Sequence, residues 1–260
     1  MMNAELALKC AQLSQEVYRD FASIKFNAAH SAQVTLVEAE VPEFANAETP
    51  KSPKTDTQAA ILHEPDINQV ILVFRGSESN TDWFNNAQFR QKTYPYGDNS
   101  STEVRFHRGF MAAYFAVRDR LQAVIQQYPT ATLVVTGHSL GGALATIGSL
   151  DLQYNITQHS QQPLAVYTFG APRVGNQALV DSFTQRVPNC YRFVYGRDLV
   201  THIPRVWQNY RHVPNAQNLP APATWKFFTQ SLKDHDINNY ITALKGRSPA
   251  AVNGLNAGAD

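Results

Sequence analysis

The 260-residue sequence has few cysteines, few charged residues and almost no net charge. Its two cysteines, Cys10 and Cys190, are too few for a disulfide framework, and either one bridge or two free thiols in a reducing compartment fits this number. Charged residues make up 17% of the chain and the net charge is +1, so the basic excess typical of nucleic-acid binders is missing. We therefore expect no nucleic-acid partner.

Signals for export, membrane insertion and cofactor binding are also missing. No run of about 18 apolar residues occurs, and Glu5 stands where a signal peptide would carry Lys or Arg. We expect a cytoplasmic location, or secretion if a leader precedes the sequence given. Because metal-ligand spacings and phosphate-binding glycine loops are absent, we expect no metal and no cofactor. The oligomeric state is left open.

Apolar residues, by contrast, are plentiful and periodic. They make up 43% of the chain, enough for a sizeable core. Their spacing predicts alternating strands and helices, and hence an α/β fold with a mainly parallel sheet and right-handed crossovers. We expect one domain over 1–260, with a tail after about residue 248 that frays. The predicted helices are 1–20, 107–128, 140–154, 176–187 and 236–246, and the predicted strands are 33–41, 55–64, 69–77, 132–139, 163–170 and 189–198, with 204–222 irregular.

The motif G-x-S-x-G occurs at residues 137–141, between a predicted apolar strand and a helix rich in small residues. This is the context of a nucleophile elbow, a sharp turn that exposes a serine hydroxyl beside a helix N-terminus. Side chains on either side of the serine would collide in such a turn, which explains the glycines at 137, 141 and 142. Ser139 is therefore the candidate nucleophile. The alternative is a glycine-rich turn without catalytic meaning.

A catalytic serine needs a histidine base and an acid that orients the histidine. Among the downstream acids, Asp198 is the best candidate because it follows a predicted strand at the carboxyl edge of the sheet. The base is one of three histidines, His202, His212 or His235, and the position of His235 before the last helix favours it without excluding the others. His138, next to the serine, is expected to point into the fold.

The oxyanion that forms on acyl attack needs two hydrogen-bond donors. The backbone N–H of Leu140 is one candidate, since it follows the nucleophile. Ser77, in the loop after an earlier strand, could offer its N–H and its hydroxyl, unless it is an ordinary turn serine.

Several blocks of the chain resemble the fungal-type (class 3) triacylglycerol lipases, within the α/β-hydrolase fold. They are FRGS (74–77), DWFNN (82–86), HRGF (107–110), VVTGHSLGGALAT (134–146), TFGAPRVGN (168–176), YRFVYGRDLVTHIP (191–204) and DHDINNY (234–240), in the order of that family. The resemblance implies Ser139 as nucleophile, Asp198 as acid, His235 as base, and Ser77 with Leu140 as oxyanion donors.

The resemblance also implies a lipid or ester substrate and transient contact with a lipid interface. The segment 78–86 occupies the position of the family's lid, so Trp83 and Phe84 are candidate lid residues, although a short fixed helix is an alternative. The stretch 212–225 departs from the family pattern, which leaves acyl-chain preference open. Feruloyl esterase, phospholipase and galactolipase activities remain alternatives, as does a hydrolase-like protein that binds without turnover.

Overall fold

A seven-stranded sheet organises the chain. The computed structural model describes residues 2–40, 56–77, 90–93, 103–221 and 233–247. The strand order is β1-β2-β3-β6-β7-β8-β9, in which β1 to β3 pair antiparallel and β3, β6, β7, β8 and β9 pair parallel. The strands are β1 (Gln33–Glu40), β2 (Asp56–Glu64), β3 (Gln69–Phe74), β6 (Thr132–His138), β7 (Leu164–Phe169), β8 (Cys190–Tyr195) and β9 (Ala216–Leu219), and β4 (Gln91–Thr93) and β5 (Arg105–His107) form a separate hairpin pair.

In the described part of the chain, five longer helices connect or flank these strands. They are α1 (Ala4–Glu16), α2 (Arg108–Ile125), α3 (Leu140–Leu152), α4 (Gln177–Arg186) and α5 (Ile237–Lys245). Shorter helical turns lie at Phe21–Ser23, Asn27–Ala29, Pro65–Ile67, Gln153–Thr157, Gln158–Ser160, Leu199–His202 and Val206–Gln208. Among the described residues, no helix combines the length and apolar character needed to cross a membrane.

The sheet is buried on both faces, as its nearly continuous apolar strands require. In β3, Val70 and Leu72 point into a core formed with α2, α3 and α4, whereas Ile71 and Val73 point into a second core formed with α1 and α5. This two-residue alternation follows from strand geometry. The predicted mainly parallel sheet with flanking helices is therefore confirmed.

The structure differs from the sequence prediction in one element of the sheet. The prediction of an irregular stretch over 204–222 is wrong at Ala216–Leu219, which form β9 and pair parallel with β8. The strand was missed because it is short, polar and at the sheet edge, so no apolar pattern marks it. The predicted lid at 78–86 and the tail after 248 lie outside the described residues.

Candidate active site

Ser139 lies in a strained turn between β6 and α3. The strand ends at His138, the helix begins at Leu140, and Ser139 has φ 57° and ψ −127°. A non-glycine residue in this region of φ/ψ space costs about 1–3 kcal/mol, which the surrounding structure must offset. The strand–turn–helix context that the motif predicts is therefore present, with the serine at the carboxyl edge of the parallel strands.

Close backbone contacts explain the glycines on either side of Ser139. A Cβ atom on Gly137 would lie 2.3 Å from the carbonyl oxygen of Gly141, and one on Gly141 would lie 2.3 Å from the carbonyl oxygen of Phe74. Both distances are far inside van der Waals contact. Any larger residue at these positions would therefore push α3 away from the ends of β3 and β6.

Asp198 and His235 form a buried pair at the same edge. His235 Nδ1 lies 3.0 Å from Oδ1 and 2.8 Å from Oδ2 of Asp198, and both side chains are buried. A carboxylate can only accept, so Nδ1 carries the proton and Nε2 keeps a lone pair. That Nε2 atom is buried and has no hydrogen-bond partner among the described residues. The side chain is thus held in the tautomer that can accept a proton.

Two residues that the sequence reasoning did not single out support this pair. The Tyr240 hydroxyl, on α5, donates to Asp198 Oδ2 at 2.5 Å, and burial followed by the Asp198 charge raises the pKa of Tyr240 well above its usual value. Gly170, directly after β7, has φ +58°, and a Cβ there would lie 2.7 Å from Asp198 Oδ2. Both depend on tertiary contacts. Their positions in the blocks 234–240 and 168–176 were the only signal.

The side chain of His138 makes a hydrogen bond to the backbone of His235. Its Nε2 donates to the His235 carbonyl oxygen at 2.7 Å, and its Nδ1 lies 3.1 Å from the Tyr18 hydroxyl, which donates to it. The two imidazole rings have centroids 4.6 Å apart. Burial, together with the neighbouring His235, lowers the pKa of His138 well below its usual value, so the ring is neutral. His138 therefore points into the fold, as predicted, and also fixes the loop that carries His235.

The other two candidate bases lie elsewhere. His202 is exposed, and burial of part of the ring and then the Arg173 charge lower its pKa. His212 is committed to the Thr201 carbonyl oxygen through Nε2 at 2.5 Å, and burial lowers its pKa to about 3. Neither makes the contact with Asp198 that His235 makes.

The remaining downstream acids have structural partners. Asp151 is buried in α3 and accepts hydrogen bonds from Tyr114 and Arg118. Asp234 accepts from the Arg197 backbone at 2.8 Å, and Asp236 caps the N-terminus of α5. Asp181 accepts from Gln177 on the surface of α4.

The candidate oxyanion donors flank the elbow. Leu140 is the first residue of α3, where the backbone N–H groups have no intrahelical acceptor. Ser77 follows β3 by three residues and is partly exposed. Its neighbour Gly76 passes so close to the elbow that a Cβ there would lie 2.7 Å from the His138 carbonyl oxygen. The Ser77 loop therefore lies against the residue that precedes Ser139.

Other predicted features can be placed only in part. The candidate lid residues Trp83 and Phe84 lie outside the described residues. Cys10 and Cys190 are both buried free thiols, and burial raises the pKa of each to about 12. Within the described ranges, no group of three or more His, Cys, Asp or Glu side chains could hold a metal ion.

The chain is similar to a known protein family and to individual proteins of known activity. Residues 71–207 match the family Lipase (class 3). The chain is 33% identical over 192 residues to a lipase of Rhizomucor miehei, covering 72% of this chain and 52% of the relative. It is 30% identical over 211 residues to secreted mono- and diacylglycerol lipase 1 of Fusarium solani, covering 80% and 58% respectively.

A solved structure of the Rhizomucor miehei lipase propeptide complex superposes with a TM-score of 0.66 at 26% identity, covering 83% of this chain and 67% of that one. The fold is thus the α/β-hydrolase fold of the fungal lipases. The chain spans only a little over half the length of the curated relatives it matches. The family match includes Ser139 and Asp198, ends before His235, and covers more than half of the chain, and so the protein belongs to the class 3 lipase family.

Proposed function

We propose that the protein is a carboxylic ester hydrolase, a triacylglycerol lipase in type, that works through Ser139, His235 and Asp198. The observation that carries this proposal is the Asp198–His235 pair at the strand edge that holds Ser139, with Nε2 left as the accepting atom. A serine hydroxyl is a weak nucleophile until such a base removes its proton.

The proposed reaction has two halves. Ser139 Oγ attacks the ester carbonyl while His235 Nε2 takes the hydroxyl proton, and the N–H of Leu140 and Ser77 stabilise the oxyanion. The intermediate collapses as His235 returns that proton to the departing alcohol. Water then attacks the acyl-enzyme with His235 again acting as base, which releases the carboxylic acid and restores Ser139. The Asp198 carboxylate stabilises the imidazolium in both halves.

The substrate class is part of the proposal. Acylglycerols are favoured because the Fusarium solani relative acts on mono- and diacylglycerols by name and the Rhizomucor miehei relative is a lipase. Phospholipids, galactolipids and feruloyl esters share the ester carbonyl and would use the same triad, so they differ only in the groups that surround it.

A substrate panel tests both the activity and its class. Initial rates are measured on triolein, diolein, phosphatidylcholine, methyl ferulate and a soluble p-nitrophenyl ester, with Ser139→Ala as the blank. We expect the highest rate on an acylglycerol and a loss of about 10⁶ in kcat in the variant, since the nucleophile is removed. Turnover that persists at a few per cent in Ser139→Ala would eliminate the proposed nucleophile.

The lid hypothesis for 78–86 stays a prediction. If Trp83 and Phe84 cover the site in water and turn towards lipid, the rate on a short-chain triglyceride should jump when the substrate passes from monomers to an emulsion. Trp83→Ala should reduce that jump more than it reduces hydrolysis of a soluble ester. If the rate saturates smoothly through the solubility limit, and Trp83→Ala reduces the rate equally on both substrates, the segment 78–86 is a fixed element and not a lid.

Two observations bear on where the protein is located. The buried free thiols Cys10 and Cys190 are compatible with the reducing cytoplasm expected from the sequence, whereas the Fusarium solani relative is secreted. Immunodetection in the medium and in the cell lysate of the source organism distinguishes the two.

A further inference from the structure

Exposed apolar side chains are concentrated just after the catalytic-acid candidate Asp198. Five large hydrophobic residues are exposed among the described residues, and three of them, Leu199, Val206 and Trp207, lie in one short segment. Trp207 is 79% exposed and its neighbour Val206 is 47% exposed. Adjacent exposed apolar side chains with polar residues around them are typical of interaction surfaces, whereas a single exposed one is ordinary.

Three arginines surround this exposed pair. Arg205 precedes Val206 and is exposed. Arg211 donates from Nη1 to the Val206 carbonyl oxygen at 2.8 Å, and Arg173 donates from Nη1 to the Pro204 carbonyl oxygen at 2.8 Å. We call the surface formed by Arg173, Arg205, Val206, Trp207 and Arg211 the Trp207 patch.

The positive charge of the Trp207 patch is not neutralised by the described part of the chain. None of the ion pairs found there includes Arg173, Arg205 or Arg211. Burial and then the neighbouring charges of Arg211 and Arg205 lower the pKa of Arg173, which indicates that the three guanidinium groups act on one another. Because the whole chain carries only +1, this clustering is local and not a consequence of a basic protein.

The patch belongs to connections that leave the sheet at the edge that holds the candidate active site. Arg173 follows the end of β7, and the other patch residues follow the end of β8 at Tyr195. A backbone bridge between Gly175 and Arg211 joins the two connections. The carboxyl ends of β6, β7 and β8 hold Ser139, Gly170 and Asp198. The patch and the candidate active site are therefore both carried by connections that follow the carboxyl ends of β7 and β8.

We propose that the Trp207 patch docks the protein on a lipid surface that carries negative charge, with Trp207 and Val206 in the headgroup region and the arginines on the anionic headgroups. Tryptophan favours the boundary between water and hydrocarbon because its ring is apolar and its N–H is polar. Basic side chains close to an anionic membrane are attracted to it. A lipid surface is favoured over an acidic protein because the ester of the proposed reaction is itself a lipid, and in this choice of partner the inference rests on the proposed function.

Vesicle co-sedimentation of the full chain carrying Ser139→Ala tests this surface without hydrolysing the lipid. Vesicles of phosphatidylcholine alone are compared with vesicles that also contain phosphatidylglycerol. We expect binding to the anionic vesicles and much weaker binding to the neutral ones. Added salt should weaken the anionic binding, since it screens the arginine charges.

Two variants on the patch and two matched controls locate the contact. Arg205→Gln should weaken binding to anionic vesicles about fivefold, and Trp207→Ala on the order of tenfold, because it removes the largest exposed apolar side chain. The controls are Ile67→Ala, at 62% exposure near the start of β3 on the opposite edge, and Lys245→Gln at the end of α5. Both controls should bind like the parent.

The result that would overturn the proposal is equally specific. Equal binding to neutral and anionic vesicles, no binding to either, or losses in the controls as large as those in the patch variants would each exclude the Trp207 patch as the docking surface. Circular dichroism melts of all four variants verify that they fold. Since vesicle binding needs no turnover, this outcome is independent of whether the hydrolase proposal holds.

Discussion

At the scale of single residues, the proposed chemistry depends on one proton position. Asp198 accepts from His235 Nδ1, and Tyr240 and the backbone N–H of Val200 also donate to that carboxylate. These three donors hold the Asp198 carboxylate in one position. The histidine is therefore held in one tautomer before any substrate arrives, which is the form of pre-organisation that accelerates proton transfer.

His235→Ala and His202→Ala distinguish between two of the candidate bases. His235→Ala should lower kcat towards the level of Ser139→Ala, since both remove a member of one catalytic unit. His202 is exposed, so its alanine variant should lose far less. Initial rates on a soluble ester measure both, and a dead His202→Ala with an active His235→Ala would reassign the base.

Ser77→Ala tests the proposed oxyanion contribution. If the hydroxyl donates to the developing oxyanion, its removal should raise the activation free energy by roughly 3 kcal/mol. The value of kcat should then fall, with little change in KM. If only the backbone N–H donates, the loss should be much smaller. A change confined to KM would assign Ser77 to substrate binding.

The sequence alone identifies candidates for each catalytic role, but it does not determine which histidine is the base. Ser139 follows from a motif with a steric reason, and Asp198 from its position after a strand. Three histidines remained, because sequence distance does not determine which ring reaches Asp198. The contacts of Tyr240 and Gly170 with Asp198 depend on where α5 and β7 pack, and no local pattern encodes that.

At the scale of elements, the turn after β7 sets the space for the Asp198–His235 pair. Gly170→Ala would place a methyl group 2.7 Å from Asp198 Oδ2 and 3.0 Å from His235 Nδ1, at φ +58°. We expect kcat to fall by at least about tenfold, because a displacement of about 1 Å at catalytic groups has effects of that order or more. Unfolding should also become easier by about 1–2 kcal/mol from the backbone strain.

A second glycine provides the control for that change. Gly246 caps α5 in a right-handed conformation, and a Cβ there would meet nothing closer than 3.6 Å. Gly246→Ala should leave kcat unchanged and the stability equal or slightly higher. Equal kcat values in the two alanine variants would show that Gly170 does not govern the pair.

Apolar periodicity predicts the longer buried elements but not the short strands β4, β5 and β9. Strands β3 and β6 are apolar on both faces, so their sequences alone indicate burial. Strand β9 reads AQNL, and only its pairing with β8 makes it a strand. Short polar edge strands of this kind are stabilised by pairing with the neighbouring strand, and their own sequences do not predict them.

At the scale of the whole molecule, buried neutral histidines should make stability depend on pH. Burial lowers the pKa of His107 to about 4 and that of His138 well below its usual value. Below about pH 6.5 the unfolded chain therefore binds protons that the folded chain excludes, so stability falls as pH falls. Each histidine contributes a slope of up to about 1.4 kcal/mol per pH unit.

Urea unfolding at a series of pH values measures this slope. His107 accepts a hydrogen bond from the Phe110 backbone at the start of α2, and asparagine can do the same, so His107→Asn removes the titration and keeps the cap. The slope between pH 6.5 and about pH 4.5 should become smaller by about one proton. An unchanged slope would show that His107 does not remain neutral in the folded protein.

The measurement that tests the account most directly is labelling with a fluorophosphonate followed by peptide mapping. The reagent forms a covalent bond only with a serine that a neighbouring base activates. We expect one adduct, on the peptide that contains Ser139, which is lost in Ser139→Ala and forms much more slowly in His235→Ala. An unlabelled Ser139, or an adduct on another serine that survives both changes, would contradict it.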